Sequence, residues 1–336
     1  MGDLYILNTR CHLTHTLKEA FEARGFKVKV SEESGVSDEN LRGGKGFTAI
    51  CIFVNKKIEA RQVPILVENG TKLILHCSAG YDNSPTVELK AAGIRAARVP
   101  SYSPGSIAEY AIAQIMALAK NTHMSYVMTK KADFDITSLQ CLLLENKTCG
   151  IIGTGLIGKK TAEKISGLVE RVVCFDVYPD KEWIGSLRNA EYTDLDTLFR
   201  TSDFISIHVP LLPQTHHLID EDAFSKMKDD VVLINTSRGE IIHLPSLIKA
   251  LESKKLWGVA LDVFEGEKKY IFHDKSKEGF QEHPDLAKLA TFEHVILSSH
   301  IAFYTDQAVE QITAKTLDNY EAFIGKVEED KKSFIC

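Results

Sequence analysis

The sequence has no Cys-x-x-Cys pair, and its seven cysteines are scattered. This spacing argues against a zinc ribbon or a disulfide framework and indicates reduced thiols, as in cytosolic proteins. No apolar run approaches the roughly 18 residues that a membrane helix requires. The first residues lack a basic segment followed by a long apolar one, so we expect no secretory signal. We therefore expect a cytoplasmic protein with no membrane contact and no metal site.

Basic residues are also few relative to acidic ones. The 336 residues include 46 Asp and Glu against 40 Lys and Arg, which gives a net charge of −6. This balance gives no electrostatic reason to expect nucleic acid as a partner. The hydrophobic fraction of 44% and the charged fraction of 26% are typical of globular proteins, and the length suffices for two domains.

Strand-like apolar runs alternate with helical patterns along the whole chain. A first series occupies about a hundred residues, and a second has six strands, predicted at 148–152, 171–175, 204–208, 231–235, 258–262 and 295–297. Such alternation predicts parallel sheets covered by helices. We expect an α/β fold with two Rossmann-like or flavodoxin-like domains.

The last helical pattern, at 305–324, has no later strand beside which it could pack in the second series. We therefore expect the chain to return to its first domain. This places one discontinuous domain at 1–102 and 303–336, and a second domain at 103–302.

A glycine-rich segment, Gly153-Thr154-Gly155-Leu156-Ile157-Gly158, follows the first strand of the second series. Its first glycine permits a tight turn, its second a close approach to pyrophosphate, and its third close helix packing. Asp176 ends the next strand, where an acid bonds the ribose hydroxyls and repels a 2′-phosphate. The pattern predicts NAD rather than NADP, bound by 103–302. The alternative is a generic glycine turn with a chance acid.

Three polar residues, Arg238, Glu267 and His300, each follow a separate strand of that series. Strand ends in one parallel sheet converge on one crevice. A guanidinium matches a carboxylate through two hydrogen bonds, and a histidine beside an acid can protonate a ketone as hydride arrives. The set predicts hydride transfer on a 2-keto or 2-hydroxy acid. The alternatives are a surface salt bridge and a structural histidine.

Three motifs carry a family resemblance: Ile234–Glu240, Leu261–Glu267 and His300–Thr305. They resemble those of the D-2-hydroxyacid dehydrogenases, and most of all the D-lactate branch. The resemblance implies that Arg238 is the catalytic arginine, that Glu267 pairs with the acid/base His300, and that Asp262 lies near the nicotinamide carboxamide. It also implies D stereochemistry and a homodimer.

The same resemblance implies a small substrate pocket between the domains. Backbone amides of Ala79 and Gly80 would hold the substrate carboxylate, and Tyr102 would lie nearby. Phe53 and Phe303 would limit the size of the substrate side chain. The alternative for both phenylalanines is ordinary core packing.

We assign five further residues to the cofactor site: His208, Val209, Pro210, Thr236 and Ser237. The resemblance thus implies an NAD-dependent D-lactate dehydrogenase that acts on pyruvate. Two alternatives stay open: an enzyme for another 2-keto acid (2-ketoisocaproate, hydroxypyruvate or glyoxylate), or a non-catalytic NAD(H)-sensing scaffold like the family's corepressors.

Overall fold

A computed structural model of the chain describes residues 2–7, 12–33, 35–54, 57–81 and 83–336. The chain divides into two compact units, Met1–Ser103 with Tyr304–Cys336, and Pro104–Phe303. Each junction lies one residue C-terminal to the position given by the sequence analysis. Each unit holds one parallel sheet with helices, so the predicted fold class is confirmed.

The first unit begins with five strands alternating with four helices. Its elements are β1 Gly2–Ile6, α1 His12–Ala23, β2 Val28–Val30, α2 Asp38–Arg42, β3 Phe47–Ile52, α3 Val63–Asn69, β4 Leu73–His76, α4 Thr86–Ala91 and β5 Arg95–Arg98. The strand order is β2-β1-β3-β4-β5, the flavodoxin-like order. Helix α1 buries Leu13, Leu17 and Phe21, which are spaced four residues apart and therefore share one face.

The second unit contains the larger sheet. Its elements are α5 Pro104–Ala119, α6 Thr122–Thr129, β6 Thr148–Ile152, α7 Leu156–Ile165, β7 Arg171–Phe175, α8 Lys181–Ile184, β8 Ala190–Tyr192, α9 Leu195–Thr201, β9 Phe204–Ile207, α10 Glu221–Lys226, β10 Val231–Asn235, α11 Leu244–Glu252, β11 Leu256–Leu261, α12 Pro284–Leu289 and β12 Val295–Leu297. Short 3₁₀ turns occur at Ala60–Gln62, Gly239–Ile241 and Glu267–Lys269. The strand order is β12-β11-β10-β9-β6-β7-β8.

The final helix, α13 (Asp306–Phe323), returns to the first unit. Its aromatic Tyr320 is buried against Phe21 and Phe26, and the Tyr320 hydroxyl donates to Asp3 Oδ1 at 2.9 Å. Thr305 caps the helix by accepting a hydrogen bond from the Ala308 amide. The first unit is therefore discontinuous in sequence.

The large sheet is covered on both faces. In β10, Val231 and Leu233 pack in one apolar cluster, whereas Val232 and Ile234 pack in another. Alternate residues of a strand point to opposite faces, so a strand buried on both sides is a continuous apolar run. In the described part of the chain, no helix is long and apolar enough to cross a membrane.

Candidate active site

The order in which the chain adds strands to the larger sheet reverses at β6, the first strand of this sheet in the sequence. From β6 the chain continues to β7 on one side and later crosses to β9 on the other. In open parallel sheets, ligands bind outside the carboxyl ends of the strands at such a switch point. The glycine-rich segment directly follows β6 and therefore lies at this crevice.

The geometry of this glycine-rich segment leaves little room for side chains at two positions. Gly153 has φ +92°, and a Cβ there would lie 2.7 Å from the His208 carbonyl oxygen. A Cβ at Gly158 would lie 1.8 Å from the Gly153 carbonyl oxygen. Gly155 is the N-cap residue of α7 and provides no side-chain hydrogen bond to the helix. A Cβ at this residue would meet no atom within 4 Å. The first amides of α7 thus lack a side-chain cap, which suits an anion such as pyrophosphate.

Asp176 is fixed at the end of β7 by backbone donors. The Thr154 amide donates to Asp176 Oδ2 at 2.6 Å, and the Tyr178 amide donates to Oδ1 at 2.8 Å. Val177 and Tyr178 are both largely exposed. The acid is therefore held beside the glycine turn while the residues after it face solvent.

The loops after β9 and β10 border the same crevice. His208 and Val209 contact the Gly153 turn, and burial lowers the pKa of His208 to about 3, so its ring is neutral at pH 7. Ser237 Oγ donates to the Ile207 carbonyl at 2.8 Å. Thr236 Oγ1 is buried with no hydrogen-bond partner among the described residues. Such an orphaned hydroxyl fits a site whose ligand supplies the missing partner.

His300 and Glu267 form a direct pair. His300 Nδ1 lies 2.9 Å from Glu267 Oε1, and the two side chains are 14% and 13% exposed. Glu267 Oε2 accepts a hydrogen bond from the Phe264 amide at 3.2 Å. Both carboxylate oxygens are thus engaged, and the imidazole has its Nδ1 occupied while Nε2 stays available.

Asp262 organises the loop that carries His300. Its Oδ1 accepts from Ser298 Oγ at 2.7 Å and from the Ile301 amide at 3.0 Å, while Oδ2 accepts from the Ala302 amide at 2.9 Å. The Asp262 side chain is 2% exposed. His300 itself has φ +56°, a left-handed conformation that costs a non-glycine residue about 1 kcal/mol. The carboxylate therefore holds this strained loop. The predicted position of Asp262 near the nicotinamide carboxamide stays a prediction.

Arg238 follows β10, the immediate neighbour of β11 in the sheet. Its Nη1 donates to the Ser237 carbonyl at 2.8 Å, and Asn235 Nδ2 donates to the Arg238 carbonyl at 2.8 Å. The next residue is Gly239, where a Cβ would lie 2.0 Å from the Phe264 carbonyl carbon. The Arg238 loop is therefore packed directly against the loop that leads to Glu267.

His283 was given no chemical role from the sequence, yet it supports this site. Its Nε2 lies 2.7 Å from the Glu265 carbonyl oxygen, and its Nδ1 accepts the Leu286 amide at the start of α12. The ring also lies against Gly266, whose φ is +80°. The histidine thus joins α12 to the turn that precedes Glu267. No local sequence pattern signals this contact between residues 18 positions apart.

The predicted substrate residues fall in both units. Ala79 and Gly80 are half-buried in the first unit, where Ser78 Oγ donates to the Gly80 carbonyl at 2.7 Å. Tyr102 is also half-buried there, and Phe53 is fully buried, as ordinary core packing would give. Phe303 ends the second unit and is 4% exposed, with its ring centroid 6.5 Å from that of His300 in an edge-on arrangement.

Comparison with known proteins identifies the family. The profile of the D-isomer specific 2-hydroxyacid dehydrogenase NAD-binding domain matches residues 112–302. The chain is 38% identical over 287 residues to the D-lactate dehydrogenase kk1H of Curvularia clavata, covering 85% of this chain and 81% of that one. The chain belongs to the D-2-hydroxyacid dehydrogenase family. It is therefore an oxidoreductase with an NAD-binding domain, and the predictions of the family and of NAD are confirmed.

Two further matches extend over nearly the full length of this dehydrogenase. It is 34% identical over 316 residues to the D-lactate dehydrogenase of Escherichia coli K12, with 94% of this chain and 95% of that one covered. The crystal structure of the D-lactate dehydrogenase of Aquifex aeolicus, complexed with NAD and lactic acid, matches with a TM-score of 0.86 and 32% identity. That match covers 99% of both chains.

Proposed function

We propose that this dehydrogenase reduces pyruvate to D-lactate with NADH, with His300 as the acid/base, Glu267 as its partner and Arg238 as the carboxylate anchor. The observation that carries the proposal is the 2.9 Å contact between His300 Nδ1 and Glu267 Oε1, beside the loop of Arg238. The printed names of the compared proteins, D-lactate dehydrogenases, support the choice of substrate.

The His300–Glu267 contact defines which nitrogen exchanges the proton. Nδ1–H donates to Glu267, so Nε2–H gives its proton to the carbonyl oxygen of the substrate and recovers it in the reverse direction. The carboxylate fixes the tautomer of the ring and keeps the ring in one orientation. Because the Phe264 amide holds the second carboxylate oxygen, Glu267 resists rotation away from the ring.

The reduced dinucleotide supplies, when bound, the hydride for the carbonyl carbon, and the residues that would hold it are the Gly153–Gly158 loop, Asp176 and Thr236. Arg238 binds the substrate carboxylate through its guanidinium fork and so orients the adjacent carbonyl toward His300. Substrate binding by Ala79, Gly80 and Tyr102 stays a prediction.

The position of Phe303 is consistent with a substrate that has a small side chain. Its ring stands edge-on to the His300 ring and is buried, so it restricts the space next to the proposed proton donor. A methyl group, as in pyruvate, needs less of this space than a branched side chain. The buried Phe303 ring therefore favours pyruvate over 2-ketoisocaproate as the substrate.

A substrate panel tests this proposal. NADH oxidation by the purified protein is measured with pyruvate, 2-ketoisocaproate, hydroxypyruvate and glyoxylate at matched concentrations. We expect the highest kcat/KM with pyruvate. A preference for another keto acid would keep the acid/base pair and replace the substrate, whereas tight NADH binding without any oxidation would favour the non-catalytic scaffold.

Substitution of Arg238 by Ala tests the anchor. Two hydrogen bonds to a charged group contribute about 1.5–3 kcal/mol each, so kcat/KM for pyruvate should fall by about 10²- to 10⁴-fold. Arg238→Lys is the matched control, since it keeps the charge and loses the fork, and we expect it to recover only part of the activity. Near-normal kinetics of the alanine variant would remove Arg238 from the site.

We also propose that the enzyme is a homodimer. The segment from α6 onward exposes large apolar side chains that a monomer would leave in water: Tyr126, Val127, Phe134, Ile136 and Leu143. Light scattering after size-exclusion chromatography should give twice the chain mass of 37.4 kDa. A monomeric mass at micromolar concentration would contradict the proposal.

A further inference from the structure

Two neighbouring histidines and a glutamate lie together outside the His300–Glu267 pair. His216 and His217 belong to the loop between β9 and α10, and Glu265 follows β11. The loop is fixed in place, since the His217 amide donates to the Glu240 carbonyl at 2.9 Å and Ile219 forms a β-bridge with Ile242. We call these three residues the His-His-Glu cluster.

The spacing of the cluster fits a single small cation. One potential ligand atom from each residue lies within 4.8 Å of the other two. His217 Nε2 and Glu265 Oε2 are 3.5 Å apart. Ligand bonds of 2.0–2.1 Å around a tetrahedral zinc place neighbouring ligand atoms about 3.3 Å apart. The observed separation is therefore close to one edge of such a tetrahedron.

A direct hydrogen bond explains the pair less well. N–H···O bonds have donor–acceptor distances of about 2.7–3.2 Å, which is shorter than the 3.5 Å between His217 Nε2 and Glu265 Oε2. The His217 Nε2 atom is buried and has no hydrogen-bond partner among the described residues. A buried ring nitrogen that faces a carboxylate beyond hydrogen-bonding distance has the spacing of two ligands of one metal ion.

The surroundings hold the cluster in this arrangement. The Glu265 carbonyl oxygen lies 2.7 Å from His283 Nε2, which fixes the backbone of this residue. The His216 and His217 ring centroids lie 3.9 Å apart with the ring planes tilted by 38°, and the His243 ring centroid lies 4.7 Å from that of His217. His217 has φ +53°, so the loop adopts a strained conformation that presents both rings on one side.

We propose that His216, His217 and Glu265 bind one divalent transition-metal cation of the zinc class. Two imidazole nitrogens and one carboxylate oxygen favour Zn²⁺ over Mg²⁺ or Ca²⁺, which prefer oxygen ligands. His216 is exposed, so the fourth position of the ion is open to water or a small anion. The site departs from the sequence-based expectation of no metal, and it stands independently of the proposed substrate.

A bound ion has a structural consequence in this position. It joins the loop after β9 to the turn between β11 and Glu267, because Glu265 lies two residues before Glu267. These loops belong to elements that are not adjacent in sequence, so the ion acts as a cross-link of the folded state. Binding to the folded chain alone stabilises it by mass action, and we expect the melting temperature to rise with zinc concentration.

Cobalt binding tests the site in the full chain. Protein treated with a chelator is titrated with CoCl₂, and tetrahedral coordination is detected by its visible ligand-field bands; competition with ZnCl₂ then reports zinc binding. We expect one equivalent per chain. His216→Gln, at an exposed position, and Glu265→Gln should each weaken binding about tenfold or more and reduce the zinc-dependent rise in melting temperature.

Two controls make the result decisive. His15→Gln removes an exposed histidine that pairs with Glu19 in the first unit, and it should leave binding unchanged. His300→Gln tests whether the ion binds at the His300–Glu267 pair instead. The proposal is overturned if the wild-type chain shows no saturable binding, if both cluster variants bind as the wild type does, or if His300→Gln alone abolishes binding.

Discussion

Replacing Asp262 by Asn tests whether this residue supports the His300 loop or contacts the cofactor. In the asparagine side chain, the carbonyl oxygen can take the Oδ1 position and keep the bonds from Ser298 Oγ and the Ile301 amide. The amide nitrogen of the asparagine then faces the Ala302 amide, which in the wild type donates a hydrogen bond to Asp262 Oδ2. One charge-assisted hydrogen bond is lost, and the other two become neutral and weaker.

The cost of this change follows from the burial of the site. A hydrogen bond to a charged group contributes about 1.5–3 kcal/mol, and the Ala302 amide is left facing another donor. We therefore expect a destabilisation of about 3 kcal/mol, which lowers the melting temperature by about 6–12 °C in a unit of this size. His300, no longer held at φ +56°, should leave its partner Glu267 and reduce kcat about 10²-fold.

The assay separates the two roles of Asp262. Thermal melting, kcat with pyruvate and the Kd for NADH from fluorescence titration are measured for the variant and for the control Ser298→Ala, which removes only one donor. We expect lower stability and lower kcat at nearly unchanged NADH affinity. Wild-type stability and kcat with an NADH Kd raised more than tenfold would refute the positioning role.

Three other predictions concern the cofactor crevice. Gly158→Ala should lower NADH affinity by about tenfold or more in titrations, since its Cβ would collide with the Gly153 carbonyl oxygen. Gly155→Ala is the control for folding: its Cβ meets open space, so its melting temperature should equal that of the wild type. An NADH affinity of the Gly158 variant equal to that of the wild type would count against the proposed cofactor crevice. Asp176→Ala should raise kcat/KM with NADPH relative to NADH, and an unchanged ratio would exclude Asp176 from cofactor choice. The pKa of His208 is about 3 in the folded state against 6.5 in the unfolded state. Between these pH values only the unfolded state binds a proton at this ring, so the free energy of unfolding should fall as the pH drops from about 6.5 toward 3. Denaturation of His208→Asn should show a shallower pH dependence, and an identical slope would contradict the assignment.

The strands that carry the site were predictable because they are long apolar runs. The prediction for 231–235 coincides with β10, in which all five residues are buried. A polar residue directly after such a run marks the carboxyl end of a parallel strand, where ligands bind. Arg238 and the glycine-rich segment were therefore located without any knowledge of the three-dimensional structure.

Strand β8 was not predicted. It comprises three residues, Ala190–Tyr192, none of which is fully buried, and it pairs at the sheet edge with β7 alone. A short edge strand has neither an apolar run nor a clear alternation, so sequence patterns do not reveal it. The second sheet consequently has seven strands rather than the six expected.

The contacts that support the site could not be predicted from the sequence. The role of Asp262 depends on a loop that begins 36 residues later and on the left-handed backbone of His300. The His-His-Glu cluster joins residues almost fifty positions apart, in a chain whose cysteine spacing suggested no metal. Such contacts arise from packing of loops across strand ends, and neither hydrophobic periodicity nor local motifs record them.

The most direct test of the account compares the wild type with His300→Gln in single-turnover reduction of pyruvate, with NADH bound and with chiral analysis of the product. We expect D-lactate from the wild type, and from the variant an unchanged NADH Kd with a rate at least 10²-fold lower. A variant that retains its turnover rate, or a wild type that forms L-lactate, would contradict the assignment of His300 and Glu267 as the acid/base pair of a D-lactate dehydrogenase.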